Sequence, residues 1–238
     1  ELTESGQRLY DYANTVLSEY DKLKKEIDMI RASEEGTVEL LVAYDILRYL
    51  TPDCILEFQK KYPNVTFSYM EYPDRIVEKM LLDKEGNVAL SIGPFAGDCF
   101  DMKSLKKCSL GLLVYEEHSL AKKREATILD LEGEPLYLEN SSFKLNEFIQ
   151  SRCWNRGFEP DIVFETNGFD LCYKMCRLKR GISVTIDFVH EDMNTEGLVM
   201  IPFAEDDMIW EIGLLTLKDR AMESSVEKFY KYIENYNS

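Results

Sequence analysis

The chain has 238 residues, 45% of them hydrophobic and 30% charged, which is the composition of a globular protein with a substantial core. Its 28 basic and 44 acidic side chains give a formal net charge of −16, which excludes a strongly basic surface for a phosphate backbone or anionic lipid. No run approaches the roughly 18 apolar residues that a membrane-spanning helix needs.

The first predicted element is a long amphipathic helix from Thr3 to about Arg31. Its apolar residues recur at alternating spacings of four and three, at Leu9, Ala13, Val16, Tyr20, Leu23, Ile27 and Ile30. Since this is the 3.5-residue repeat of a coiled-coil seam, the pattern predicts dimerisation through these residues. A helix packed on the core of its own domain is the alternative.

Beyond Glu34-Glu35-Gly36, short apolar runs alternate with amphipathic stretches. The predicted strands are 38–44, 65–70, 88–92, 110–115, 135–138, 162–165, 182–186, 198–202 and 209–217. The predicted helices are 51–61, 74–82, 143–156, 169–178 and 221–236. Strands that alternate with helices of this length predict an α/β fold with mostly parallel sheets.

The chain is poorly supplied with catalytic groups. Its two histidines, His118 and His190, lie in polar segments and are interpreted as solvated loop residues. Cys172 and Cys176 fall four apart on one helical face, but without two further ligands at short spacing they predict core packing rather than zinc binding. Because a glycine-rich phosphate loop is also absent, we predict neither a cofactor nor a metal.

The six cysteines are scattered through apolar segments of a chain that needs no disulfides, and no signal peptide opens the sequence. This usage predicts a reducing, cytoplasmic location. The chain starts at Glu1 without a Met, as a fragment would. The enzymatic alternative is a thiol-dependent hydrolase that uses Cys99 or Cys153, either of which would need a lowered thiol pKa.

Ligands of parallel α/β sheets bind at the carboxyl ends of the strands, where helix N-termini point backbone N–H groups into a crevice. The residues that follow the predicted strands are therefore the candidate binding residues: Tyr44, Asp45, Asp74, Gly93, Pro94, Phe95, Glu139, Asn140, Ser141, Ser142, Thr166, Asn167 and Thr185. These residue types predict a binding cleft rather than a reaction centre.

Several motifs, taken in order, resemble those of the LysR-type transcriptional regulators. Leu2-Thr3-Glu4-Ser5-Gly6 is similar to the junction between that family's DNA-binding domain and its linker helix. The segment Phe58 to Val65 is similar to the one that closes the first helix of the family's effector domain. Ser119-Leu120-Ala121, Leu129-Asp130-Leu131 and Arg180-Gly181-Ile182-Ser183-Val184 resemble later family segments.

The resemblance implies a two-lobed, periplasmic-binding-protein-like (type 2) effector domain preceded by a long dimerising helix. The expected boundaries are 1–33 for the linker helix, 36–109 and 202–238 for effector lobe I, and 110–201 for effector lobe II.

The implied function is the effector-sensing part of a bacterial transcription regulator. A small-molecule effector would bind between the lobes, the chain would form a dimer or tetramer, and promoter DNA would be bound through a missing N-terminal domain. A stand-alone solute-binding protein for transport or sensing is the alternative.

The chain also departs from the family pattern. Asp45 stands where the family often has a Ser or Thr that contacts a ligand carboxylate, and Asp74 lies near another such position. Ala89 replaces a family Asp, and Lys179 replaces a family glycine. Because two acidic residues at the cleft mouth repel an anion at close range, we expect an effector that is neutral or carries an amine, or a pocket that has lost the usual ligand class.

Overall fold

The computed structural model describes residues 3–33, 36–95 and 98–236. The predicted opening helix is confirmed as α1 (Glu4–Ser33), and the Thr3 hydroxyl accepts a hydrogen bond from the backbone N–H of Gly6 at its start. The seam residues whose side chains are described are all exposed: Leu9, Ala13, Val16, Tyr20 and Leu23. The side chains of Ile27 and Ile30 lie outside the described residues.

Strands and helices alternate through the rest of the chain, as predicted. Strands β1 to β9 span Thr37–Ala43, Thr66–Tyr72, Val88–Ile92, Phe100–Tyr115, Pro135–Glu139, Asp161–Thr166, Ile182–Ile186, Leu198–Pro202 and Ile209–Leu217. Helices α2 to α7 span Ile46–Lys61, Asp74–Leu82, Lys144–Asn155, Phe169–Arg177, Asp187–Asp192 and Ser224–Tyr236.

The strands form two sheets that share one long strand. Residues 100–109 of β4 pair with β9 in a sheet that also holds β1, β2 and β3. Residues 110–115 of β4 pair with β7 and β8, next to β5 and β6. We call the first sheet with its helices lobe I and the second sheet with its helices lobe II, so β4 runs from one lobe into the other.

The sheets are mixed, and the prediction of mostly parallel sheets was wrong. β1 is parallel to β2 and β3, and β5 is parallel to β6 and β7. The ladders formed by β4 and β9 are antiparallel. These two strands connect the lobes, whereas parallel neighbours are joined through crossover helices.

Helix α6 was not predicted, and the starts of two elements differ most from those predicted. β4 begins at Phe100, ten residues before the predicted start, because the polar segment that follows Phe100 pairs with β9. Helix α2 begins at Ile46 and contains a kink at Thr51 (φ 59°, ψ 147°), directly before Pro52. A residue before proline avoids the helical region, so the apolar periodicity predicted only the segment after the kink.

Buried central strands form the cores of the two lobes. β3 and β7 are buried at every residue, as expected of strands covered on both faces. Cys172 and Cys176 are fully buried on α5, in agreement with their predicted packing role. None of the described helices combines the length and the apolar character needed to span a membrane.

Candidate functional site

A cleft between the lobes gathers residues from the carboxyl ends of two parallel strands. Ala43 to Asp45 reach it from the end of β1 and Glu139 from the end of β5. Asp74, the first residue of α3, also lines it. The enclosed space is about 20 Å³, which is room for about one water molecule. The two lobes therefore lie closed against each other.

Three carboxyl groups line this cleft. Asp45 has a left-handed backbone (φ 69°) that turns the chain from β1 into α2, and Asp74 follows Pro73 at the start of α3. Glu139 is the last residue of a strand and is only 4% exposed. A carboxylate at a helix N-terminus is stabilised by the helix dipole, and Asp74 has that position whereas Glu139 does not.

Burial raises the pKa values of all three groups. Burial raises the pKa of Glu139 well above its ordinary value, and the charges of Asp45 and Asp74 raise it further. Burial raises the pKa of Asp74 to about 6, although Lys144 acts in the opposite direction. Burial also raises the pKa of Asp45, against the effect of its ion pair with Arg48. The cleft thus concentrates carboxyl groups that cations only partly neutralise.

The remaining cleft wall is aromatic and aliphatic. Its apolar side chains are Ile46, Ile92, Phe143, Leu145, Phe169, Ile186, Phe188 and Trp210, with the ring of Tyr44 at the edge. Trp210 is 3% exposed, and its Nε1–H has no hydrogen-bond acceptor among the described residues. A buried donor without a partner is costly, so this one is available to an acceptor placed in the cleft.

Ion pairs join the lobes on both sides of the cleft. On one side, the guanidinium of Arg48 contacts Asp45 at 2.5 Å within lobe I, and Asp170 at 2.9 Å and Asp192 at 2.6 Å in lobe II. These contacts hold α2 against α5 and α6.

On the other side, the same lobes are joined through α3 and α4. The backbone N–H of Lys144 donates to Asp74 at 3.0 Å, and its ammonium group pairs with Glu78 and donates to the carbonyl of Ile92 at 2.7 Å. Arg75 pairs with Glu147 nearby. Lys144 therefore contacts groups of lobe I, and none of these contacts is with Glu139, which lies in lobe II.

Two of the predicted binding residues line a neighbouring groove of about 580 Å³ between α3 and α4 instead of the cleft. Pro94 and Phe95 line this groove, and the Lys144 ammonium lies 4.9 Å from the centre of the Phe95 ring. Gly93 donates its backbone N–H to the carbonyl of Glu211 at 2.7 Å. The structure thus places these three residues outside the enclosed cleft, and their predicted part in effector binding stays a prediction.

Most of the other predicted binding residues form hydrogen bonds with one another or with neighbouring groups of the fold. Asn140 donates to the side chain of Asn167 and accepts from the backbone N–H of Ser142. The Thr166 hydroxyl bonds both the N–H and the carbonyl of Gly168. Thr185 is buried and bonds Tyr173 at 2.9 Å, whereas Ser141 is exposed. Of the predicted set, the cleft brings together Tyr44, Asp45, Asp74 and Glu139.

The interpretation of His118 as a solvated residue was wrong. It is 9% exposed, accepts a hydrogen bond from Leu120 N–H and lies 3.3 Å from Glu134, so it caps a short helical turn. His190 is half-buried and bonds Tyr173 at 3.0 Å.

The enzymatic alternative needs a cysteine with a lowered thiol pKa. Burial instead raises the pKa of Cys153 to about 11, and the thiol has no base beside it among the described residues. Cys99 is exposed.

Residues 31–237 match the family model of the LysR substrate binding domain. The chain belongs to this family. The two lobes, the shared strand β4 and the cleft at the strand ends are thus those of a type 2 periplasmic-binding-protein-like effector domain, as predicted.

The curated relatives of this LysR-family chain are transcriptional regulators. The HTH-type transcriptional regulator YwbI of Bacillus subtilis (strain 168) is 25% identical over 185 residues, which are 78% of this chain and 62% of YwbI. The transcriptional dual regulator GltC of the same organism is 23% identical over 239 residues, which are 100% of this chain and 79% of GltC. The chain thus spans less than two thirds of YwbI.

The fold is shared with the regulatory domain of CcmR from Synechocystis PCC6803, solved in complex with 2-PG. The TM-score is 0.74 at 16% sequence identity, over 84% of this chain and 96% of that domain. At this identity the likeness shows the fold alone.

Proposed function

We propose that this chain is the effector-sensing part of a LysR-type transcription regulator, and that a small molecule bound between its lobes modulates DNA binding and transcription. The observation that supports this most is the cleft itself. It lies at the carboxyl ends of β1 and β5, where α/β sheets bind ligands, and β4 runs between its two walls.

The effector-binding residues proposed here are Tyr44, Asp45, Asp74 and Glu139 together with the aromatic wall of the cleft. Since the closed cleft has room for about one water, a ligand enters only when the lobes separate. A ligand that prefers one arrangement of the lobes by about 5.5 kcal/mol moves the population from 1:99 to 99:1. Effector binding and lobe arrangement are therefore linked.

The same proposal covers the boundaries of the lobes, the self-association of the chain and the binding of promoter DNA. The lobes keep the predicted boundaries, 36–109 with 202–238 and 110–201. The exposed seam of α1 pairs with a second copy in a dimer or tetramer. Promoter DNA is bound by a separate N-terminal domain of the whole protein, in the cytoplasm, and the chain senses rather than catalyses.

The two tryptophans of the chain provide the test, because Trp210 lines the cleft and Trp154 is exposed on α4. Metabolites that raise the melting temperature of the chain are titrated into the Trp154→Phe variant, whose fluorescence then reports on the cleft. We expect their binding to change Trp210 emission and the X-ray scattering profile together.

The matched control is Trp210→Phe, in which only Trp154 fluoresces. A ligand that stabilises both variants equally and changes neither Trp210 emission nor the scattering profile binds elsewhere. If all stabilising ligands behave in this way, the proposed sensing cleft is wrong.

A further inference from the structure

The carboxyl group of Glu139 is the least compensated charged group of the cleft. It is 4% exposed, and within the described residues it has neither a hydrogen-bond donor nor a cation in contact. Asp45 has Arg48, and Asp74 has the N–H of Lys144. Burying a carboxyl group without a partner destabilises the fold, and packing alone does not explain why Glu139 lies there.

The nearby cations are engaged with other groups. Arg48 is shared among Asp45, Asp170 and Asp192, so these three aspartates outnumber the cation that they contact. The ammonium of Lys144 is occupied by Glu78 and the Ile92 carbonyl. The cleft therefore keeps an uncompensated negative potential around Glu139.

The aromatic wall favours the same kind of ligand. The rings of Tyr44, Phe143, Phe169, Phe188 and Trp210 line the cleft, and the electron-rich faces of aromatic rings attract cations. The unpaired Nε1–H of Trp210 is an independent sign that a ligand atom belongs here. It requires an acceptor, such as a hydroxyl or carbonyl oxygen.

We infer that the effector is a small organic cation, a protonated amine. This inference rests on the proposed function. Its ammonium group lies among the carboxylates of Glu139, Asp74 and Asp45, and its carbon skeleton packs on the aromatic wall. A primary or secondary ammonium is favoured over a quaternary one, since only N–H groups donate hydrogen bonds to an unpaired carboxylate.

The experiment compares amines with their neutral and anionic counterparts by calorimetric titration of the whole chain. One series is benzylamine, benzyl alcohol and benzoate, and a second is 5-aminopentan-1-ol, pentane-1,5-diol and 5-hydroxypentanoate. We expect the amine of at least one series to bind, and its alcohol and acid to bind at least about tenfold more weakly. Binding should change Trp210 emission in the Trp154→Phe variant.

Glu139→Gln keeps the size of the side chain and removes its charge. It should weaken amine binding by about 30-fold or more, as the loss of one partner of a buried charge pair does. Glu159→Gln is the matched control, since Glu159 is exposed and lies outside the cleft. It should leave amine affinity unchanged.

The outcomes separate this inference from the proposed function. If an acid or alcohol of either series binds in the cleft as tightly as its amine, or if Glu139→Gln leaves amine affinity intact, the amine inference is overturned and the sensing cleft remains. If the amines do not bind while unrelated metabolites shift Trp210 emission, the inference likewise falls alone. If neither these compounds nor any stabilising metabolite shifts Trp210 emission, both fall.

Discussion

The guanidinium of Arg48 on α2 donates a hydrogen bond to Asp192 on α6 at 2.6 Å, across the boundary between the lobes. The same guanidinium contacts Asp45 in the cleft and Asp170 at the start of α5. A single side chain thus connects one of the carboxyl groups of the cleft to the contact that keeps the lobes closed. A cation that competes for Asp45 would therefore act on a residue that joins the lobes.

Arg48→Ala should favour separation of the lobes. The substitution removes three ion pairs that are partly screened by solvent, and it leaves Asp45 without its cation, so we expect the free energy of unfolding to fall by about 1 to 2 kcal/mol. The radius of gyration from X-ray scattering should increase. Arg220→Ala is the control, because Glu223, on the surface, is the one acidic partner of Arg220 among the described residues. An unchanged scattering profile for Arg48→Ala would show that Arg48 does not hold the lobes together.

Stability should fall as the pH rises through the range in which the cleft carboxyl groups titrate. Groups whose pKa is raised by folding bind more protons in the folded chain than in the unfolded chain, so their contribution to the free energy of unfolding decreases with rising pH. For Asp74 the window runs from 3.8 to about 6. For Glu139 it starts at 4.5 and extends well above that value.

Glu139→Gln tests this pH dependence. At pH 7.5 the variant should be more stable than the parent chain, because it lacks a carboxyl group whose pKa is raised by burial in the folded chain. The difference should shrink towards pH 4, where Glu139 is protonated in both states. Urea unfolding at pH 4, 5.5 and 7.5 measures it, with Glu159→Gln as the control. A Glu139→Gln variant that is less stable at pH 7.5 would reveal a stabilising partner of the carboxylate.

Elements with one strong local signal were predictable from the sequence. β3 and β7 have the predicted bounds because each is a short run of apolar and small hydroxyl side chains between polar or glycine-containing segments. Helix α3 also has the predicted bounds, since Pro73 fixes its start. The first half of β4 was missed because its polar residues are ordered by pairing with β9, more than 90 residues later, which no local pattern reports.

The site was predictable only in part, for a related reason. The rule that ligands bind after parallel strands identified Asp45 and Glu139, whose strands are indeed parallel. It failed for Phe95, because β3 is bordered by antiparallel β9. Phe169 and Trp210 were missed because an aromatic residue that lines a cleft has the same sequence pattern as one that fills a core.

One cysteine should react much faster than the others with a thiol reagent. Cys99 is exposed, whereas burial raises the thiol pKa of Cys54, Cys108 and Cys172 to about 12. Since the thiolate is the reactive form, we expect one rapidly labelled thiol per folded chain and six in denaturant. Cys99→Ser should abolish the rapid phase, as measured by mass spectrometry. Rapid labelling of Cys153 in the folded chain would revive the thiol-hydrolase alternative.

The exposed seam of α1 should mediate self-association of the chain. Val16 and Leu23 are 65% and 54% exposed, and a long helix with an apolar stripe buries it only against a partner. Val16→Glu combined with Leu23→Glu places like charges along the seam. Because each copy in a dimer loses two buried apolar side chains, we expect the dissociation constant to rise by about a hundredfold or more.

Sedimentation equilibrium of the whole chain measures this change, and Asn14→Glu is the control, since Asn14 lies on α1 away from the seam. The control should sediment as the parent chain does, because its added charge faces solvent. A double variant that keeps the oligomeric state of the parent would place the contact between copies on the lobes, and α1 would then need another partner to cover its apolar stripe.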